Sequence, residues 1–104
     1  MSKSIYIAGP MAGHPDYWET FALAERALIK KGWIVLNPAV LPQGLKPEAY
    51  MPICLAMLNA ADAICMLEGW LTSTGARTEK AFAGYQRKAC YLDLENVPDI
   101  GGGT

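Results

Sequence analysis

The sequence predicts an α/β domain in which one parallel sheet lies between layers of helix. Short β-rich runs alternate with stretches of helical periodicity along 104 residues. Strands joined through helices imply right-handed crossovers and parallel pairing. With 52% of residues hydrophobic and 18% charged, the chain has the apolar content for a core, though a thin one. Its length fits a single domain, read as residues 1–94, with a flexible tail over 95–104 that ends in Gly-Gly-Gly-Thr.

The first element is a β-rich run at 4–8, stopped by Gly9-Pro10. Residues 16–31 place Tyr17, Phe21, Ala24, Leu28 and Ile29 at helical spacing. Asp16 is positioned to cap that helix, and Gly32 stands where a terminating glycine belongs. The continuous apolar run 33–36 predicts a strand buried on both faces and ended by Asn37-Pro38. A loop over 39–46 leads to a second helix over 47–61. Pro47 suits its first turn, whereas Pro52 predicts a regular start near that residue or a kink there. A third strand at 63–67, a loop at 68–74 with Gly69-Trp70, a third helix at 75–87 and a fourth strand at 89–94 complete the order. The expected sheet has strand order 2-1-3-4, a small flavodoxin-like three-layer sandwich. Such sheets bind ligands at the carboxyl ends of their strands, near the point where strand order reverses. The loops at 9–13, 37–38 and 68–75 are therefore the candidate site.

Composition removes several classes of function. Nine basic against ten acidic residues give a net charge of −1, which argues against binding a nucleic-acid polymer. Three cysteines without a CxxC pair and one histidine, His14, argue against a disulfide scaffold and a zinc site. Cys54, Cys65 and Cys90 lie in apolar runs and read as reduced core residues of a cytoplasmic protein. No membrane segment is expected, because Asn59 and Asp62 break the most apolar stretch. There is neither GxGxxG nor GxxxxGK[ST], so no nucleotide cofactor is expected. A chain this small and apolar is expected to form a homodimer or larger homo-oligomer.

Two segments carry candidate chemistry. Gly9, Pro10 and Met11 open a glycine-containing turn after the first strand, either a plain turn or a ligand-facing loop. Ser73 and Gly75 precede a helix start, where free N–H groups attract anions, and Arg77 adds positive charge. Glu79 follows one turn later. It is not a capping-box residue, because Ala76 stands three positions before it; it is read either as a solvated surface carboxylate or, from its line with Ala76, Phe82 and Ala83, as one bordering apolar packing. Trp70 is read either as folded onto the core or as a wall for a planar ligand. Tyr6 lies inside the first strand, where its hydroxyl is within reach of a site at the strand's end. Asp62 reads as a turn residue, and His14 as a loop residue without a role.

Together these residues resemble the nucleoside 2-deoxyribosyltransferase superfamily. The resemblance is carried by Ile5-Tyr6-Ile7-Ala8-Gly9-Pro10-Met11, Val35-Leu36-Asn37-Pro38, Ala61-Asp62-Ala63-Ile64 and Gly69-Trp70 with Ser73, Gly75-Ala76 and Glu79. The pattern GW-x-x-S-x-GA-x-x-E is similar to that of a small, often phage-borne branch. The resemblance implies cleavage or transfer of an N-glycosidic bond in a 2′-deoxynucleoside or its 5′-monophosphate. It casts Glu79 as the nucleophile at C1′ and Tyr6 as the group that orients it. Gly9, Pro10, Met11, Asn37, Trp70, Ser73, Gly75 and Arg77 are the expected substrate contacts. Ser73 stands where transferases acting on free nucleosides carry Asp, which makes the chain similar to the branch that hydrolyses deoxynucleoside monophosphates. Cys54 stands where relatives carry an Asp near the leaving base. That departure implies an alternative, a nucleotide-binding sensor or sequestering module with little turnover. An interaction protein without a small-molecule site is the third reading.

Overall fold

The computed structural model describes residues 3–101. Its four strands are β1 (Ser4–Ala8), β2 (Ile34–Leu36), β3 (Ala63–Met66) and β4 (Ala89–Tyr91). They form one sheet in the order β2-β1-β3-β4, parallel throughout. Three helices supply the crossovers, α1 (Tyr17–Lys30), α2 (Pro47–Ala60) and α3 (Thr74–Tyr85). The predicted fold class and strand order are those observed.

The alternation of β1 divides the core. Ile5 and Ile7 pack on the α1 side with Phe21, Ala24, Leu28 and Trp33. Tyr6 and Ala8 face the other way, into a cluster with Cys54, Leu58, Ile64 and Ala76 contributed by α2, β3 and α3. Because β1 is flanked by β2 and β3, Tyr6 lies between Leu36 and Ile64 and is wholly buried.

The elements end by identifiable means. Gly32 has φ +95° after α1, its N–H donates to the Ile29 carbonyl, and the Trp33 N–H donates to the Leu28 carbonyl. These bonds make a Schellman ending. Asp16 occupies the N-cap of α1, yet its side chain makes no capping bond and its backbone carbonyl accepts from Glu19 and Thr20 instead. Asp62 fastens the start of β3 to β1, its Oδ2 accepting from the Ser4 N–H at 2.8 Å, and that bond holds its pKa down.

Three expectations are corrected and one is narrowed. β2 is an edge strand with Ile34 55% exposed, so its apolar run does not mean burial on both faces. α2 begins at Pro47, as expected of a helix over 47–61, and runs through Pro52, which removes the alternative of a regular start at that residue. β4 stops at Tyr91, because the Asp93 side chain accepts from the Glu95 and Asn96 N–H groups and turns 94–96 into a 3-10 helix. Cys90 is exposed on that edge strand, whereas Cys54 and Cys65 are buried; all three are free thiols.

The segment read as a flexible tail opens with packed residues. Val97 is buried, the Trp33 indole N–H donates to the Pro98 carbonyl at 2.9 Å, and the Lys31 ammonium donates to the Val97 carbonyl at 2.7 Å. Residues 102–104 of that segment lie outside the described residues. Docking of this segment is testable through Val97. A charge there loses its water without gaining a partner, so Val97→Asp should lower unfolding stability in urea by about 2–3 kcal/mol. An unchanged midpoint would mean that the segment does not pack in solution.

Candidate active site

A cavity of about 480 Å³ opens at the carboxyl edge of the sheet, in the usual range for small-molecule sites. Gly9 reaches it from the end of β1, Pro38 from beyond β2, and Ser73 and Gly75 from beyond β3. It therefore sits beside the reversal of strand order between β1 and β3. Gly9 is needed for the close approach of these two strand ends, since a Cβ there would lie 3.0 Å from the Leu67 Cβ.

Glu79 lines this cavity from α3 while remaining only 7% exposed. The helix phase that buries Ala76 and Ala83 buries Glu79 with them. The start of α3 is fixed by Ser73, whose Oγ accepts from the Ala76 N–H at 3.1 Å as an N-cap. From the sheet beneath, the Tyr6 hydroxyl donates to Glu79 Oε2 at 2.8 Å, a buried bond between residues 73 apart in sequence.

The electrostatics follow from burial. Removal from water raises the Glu79 pKa to about 7, while hydrogen bonds from Tyr6 and the Cys54 thiol partly offset the rise. Burial, then the Glu79 charge, pushes the Tyr6 hydroxyl far above the ordinary range, so it stays a proton donor. Burial also pushes the Cys54 thiol upward. Near neutrality the site therefore holds a carboxyl group poised between its acid and carboxylate forms, beside two neutral donors.

Of the residues singled out in the sequence, the structure brings together Tyr6, Gly9, Met11, Ser73, Gly75 and Glu79. Cys54 lines the cavity as well, whereas Pro10, Asn37, Trp70 and Arg77 lie outside it. Pro10 lines a neighbouring recess with His14 and Gly69. The Asn37 amide is committed elsewhere, its Nδ2 donating to Glu25 Oε1 at 2.8 Å and its Oδ1 accepting from the Ala39 N–H at 2.9 Å. Trp70 is half-buried against the α2/α3 cluster beneath the Lys80 ammonium and borders a separate groove. Arg77 is exposed on α3 away from the lining.

The sequence reading missed the apolar walls. Tyr17 at the start of α1, and Pro47, Tyr50 and Met51 on the first turns of α2, line the cavity with Leu41. Their periodicity is that of core residues, and only the clustering of aromatic and methionine side chains near helix starts distinguished them. The Tyr50 hydroxyl donates to the Pro42 carbonyl at 2.7 Å and accepts from the Leu45 N–H at 3.2 Å, clasping the 41–46 loop to α2. Among the described residues no group of three or more His, Cys, Asp or Glu is placed to hold a metal, and no helix is long and apolar enough to cross a membrane.

No curated protein matches the chain. Among solved structures it is similar to the 2-desoxiribosyltransferase from Leishmania mexicana, with 29% identity and a TM-score of 0.66. That match covers 85% of this chain, which spans 61% of the length of the other protein. Residues 3–91 match the family described as Domain of unknown function (DUF4406), and the chain belongs to that family.

Proposed function

We propose that the protein cleaves or transfers the N-glycosidic bond of a 2′-deoxynucleoside or its 5′-monophosphate, with Glu79 as nucleophile. The observation that carries this reading is the buried Tyr6–Glu79 hydrogen bond at the base of the cavity. Similarity to a protein named as a 2-desoxiribosyltransferase supports glycosyl transfer as the class of reaction.

The chemistry follows from the environment. Tyr6 donates to Oε2, and on this reading the other carboxylate oxygen attacks C1′. An ionised carboxylate in an apolar site is poorly solvated, and forming a neutral glycosyl ester relieves that state. When water or a second base takes the sugar, the same Tyr6 hydroxyl stabilises the departing carboxylate. Ser73 and Gly75 line the cavity at the start of α3, and on this reading Ser73 and the free amides there meet the sugar's 5′ end. One observation favours a binding module instead: among the described residues lining the cavity, Glu79 is the only carboxyl group. Ligand-dependent stabilisation without base release from any substrate would decide for that second reading.

Glu79→Gln should abolish base release, read by chromatography, while thermal shifts show ligand binding retained, since a nucleophile acts mainly in the transition state. Intact turnover in this variant would remove Glu79 from the mechanism. Wild-type turnover should rise with pH and reach half its plateau near pH 7, because only the carboxylate attacks.

The same group links stability to pH. Its folded pKa of about 7 exceeds the ordinary 4.5, so the folded state binds the proton more tightly. That contribution is full below pH 4.5 and is lost as pH rises through 7, roughly 2–4 kcal/mol in all. Glu79→Gln, which keeps an acceptor for Tyr6, should therefore melt well above wild type at pH 8 and close to it at pH 4.5. An equal difference at both values would show that Glu79 carries no such shift.

Ser73→Asp preserves the cap, because Asp serves as well as Ser at that position. It should weaken binding of a 5′-monophosphate and spare the free nucleoside by placing like charges together. Equal weakening of both ligands in calorimetry would exclude Ser73 from contact with the 5′ end.

A further inference from the structure

The cavity that holds Glu79 contains no second acid. Among the described residues, no Asp, His, Lys or Arg lines it. Its remaining protons are ill suited to donation. The Tyr6 hydroxyl is committed to Glu79, and that of Tyr50 to the Pro42 carbonyl. Tyr17 presents a phenol whose oxygen accepts from the Gln43 amide at 3.4 Å, and Ser73 an alcohol whose Oγ accepts from the Ala76 N–H; neither is a carboxylic acid or a cation. The Cys54 thiol is pushed above its ordinary pKa by burial. What the cavity offers instead is one carboxylate, the aromatic side chains of Tyr17 and Tyr50, and the thioethers of Met11 and Met51.

This inventory constrains the leaving group. When C1′–N breaks, both bonding electrons go to the base nitrogen. A neutral base then departs as an anion unless it is protonated, and general-acid protonation contributes about 10²–10⁴-fold to such reactions. A base that is already cationic departs as a neutral molecule and needs no proton. A carboxylate and aromatic faces also attract a cation.

Resting on the glycosidic-cleavage reading above, we propose that the substrate class is an N-glycoside whose base carries a positive charge, such as a ring-alkylated purine or a pyridinium deoxyriboside. In the first step a Glu79 oxygen forms a bond to C1′, and the C1′–N bond breaks with its electron pair neutralising the base cation. In the second step a water oxygen bonds to C1′, Glu79 leaves as carboxylate, and the water's proton goes to solvent. Atoms and charge balance with water as the only co-reactant.

The test compares pairs of substrates on the wild-type enzyme: 7-methyl-2′-deoxyguanosine against 2′-deoxyguanosine, and nicotinamide 2′-deoxyriboside against 2′-deoxycytidine. Each kcat/KM is divided by that compound's own spontaneous cleavage rate in the same buffer, which removes intrinsic lability. The cationic members should show an enhancement larger by about 100-fold or more, because the medium protonates a neutral base in the spontaneous reaction and the cavity does not. Equal enhancements, or a preference for the neutral members, would overturn the proposal and leave the glycosidase reading standing. Absence of base release from all four would overturn both.

A variant gives an independent reading. In Cys54→Asp a carboxyl group sits beside Glu79, where burial and like charge keep one of the pair protonated near neutrality. It should raise kcat/KM for 2′-deoxyguanosine at least tenfold relative to that for its 7-methyl derivative. A gain of similar size on both would count against the proposal, because it would mean that a proton is needed for the cation as well. If that variant does not fold, the wild-type comparison decides alone.

Discussion

One buried hydrogen bond, from the Tyr6 hydroxyl to Glu79, sets the terms for the rest of the molecule. A carboxyl group taken out of water is unstable as an anion unless something donates to it. Here the donor arises from the middle of the sheet. That requires β1 to be interior and Tyr6, not Ile5 or Ile7, to face α2 and α3. A slip of one residue would send Tyr6 to the α1 side and strand Glu79. Register is secured at the strand's entrance by Asp62, which binds the Ser4 N–H and hydroxyl. The phase of α3 is equally constrained, and the Ser73 cap fixes it three residues before the first buried alanine.

Much of this was legible in the sequence because the signals were local. Alternating strand and helix patterns gave the element order, and a Schellman glycine marks the end of α1 where expected. Glu79 stood out because its helical line is otherwise apolar, a pattern that physical burial then explains. The misreadings share a cause: they turned on what lies across space from a residue. An apolar run such as 33–36 is the same text whether its strand is central or at an edge, and the neighbours of β2 decide that Ile34 is exposed. Cys90 was misplaced for the same reason on the opposite edge. Pro52 does not prevent helix formation: α2 runs through it and forgoes the one bond that an N–H at this position would donate to the Glu48 carbonyl.

Site residues divide along that line too. Those on or just after interior strands, Tyr6, Gly9, Ser73 and Gly75, lie at the cavity because strand ends in a parallel sheet converge. Asn37 and Arg77 are as close in sequence to the site but have other tasks or directions: the Asn37 amide braces the turn after β2, and Arg77 projects from the outer side of α3. Tyr17 and Tyr50 could not be separated from core residues by periodicity. Their exposure to the cavity depends on α1 and α2 beginning where the sheet has already ended.

The base and the walls of the cavity belong to different parts of the fold. The Glu79 carboxyl group and its Tyr6 donor belong to the most buried layer, so their proton affinities are set by the same burial that stabilises the domain. The walls belong to helix starts and to the 41–46 loop, which the Tyr50 clasp holds to α2. Exchanging a wall residue alters contacts on one side of a cavity and little else, whereas exchanging a base residue disturbs the packing of β1, α2 and α3 together. The walls can therefore change without disturbing the Tyr6–Glu79 pair. Cys54 stands at the boundary, buried in the core cluster yet lining the cavity, so its identity bears on both the packing of the core and the surroundings of Glu79.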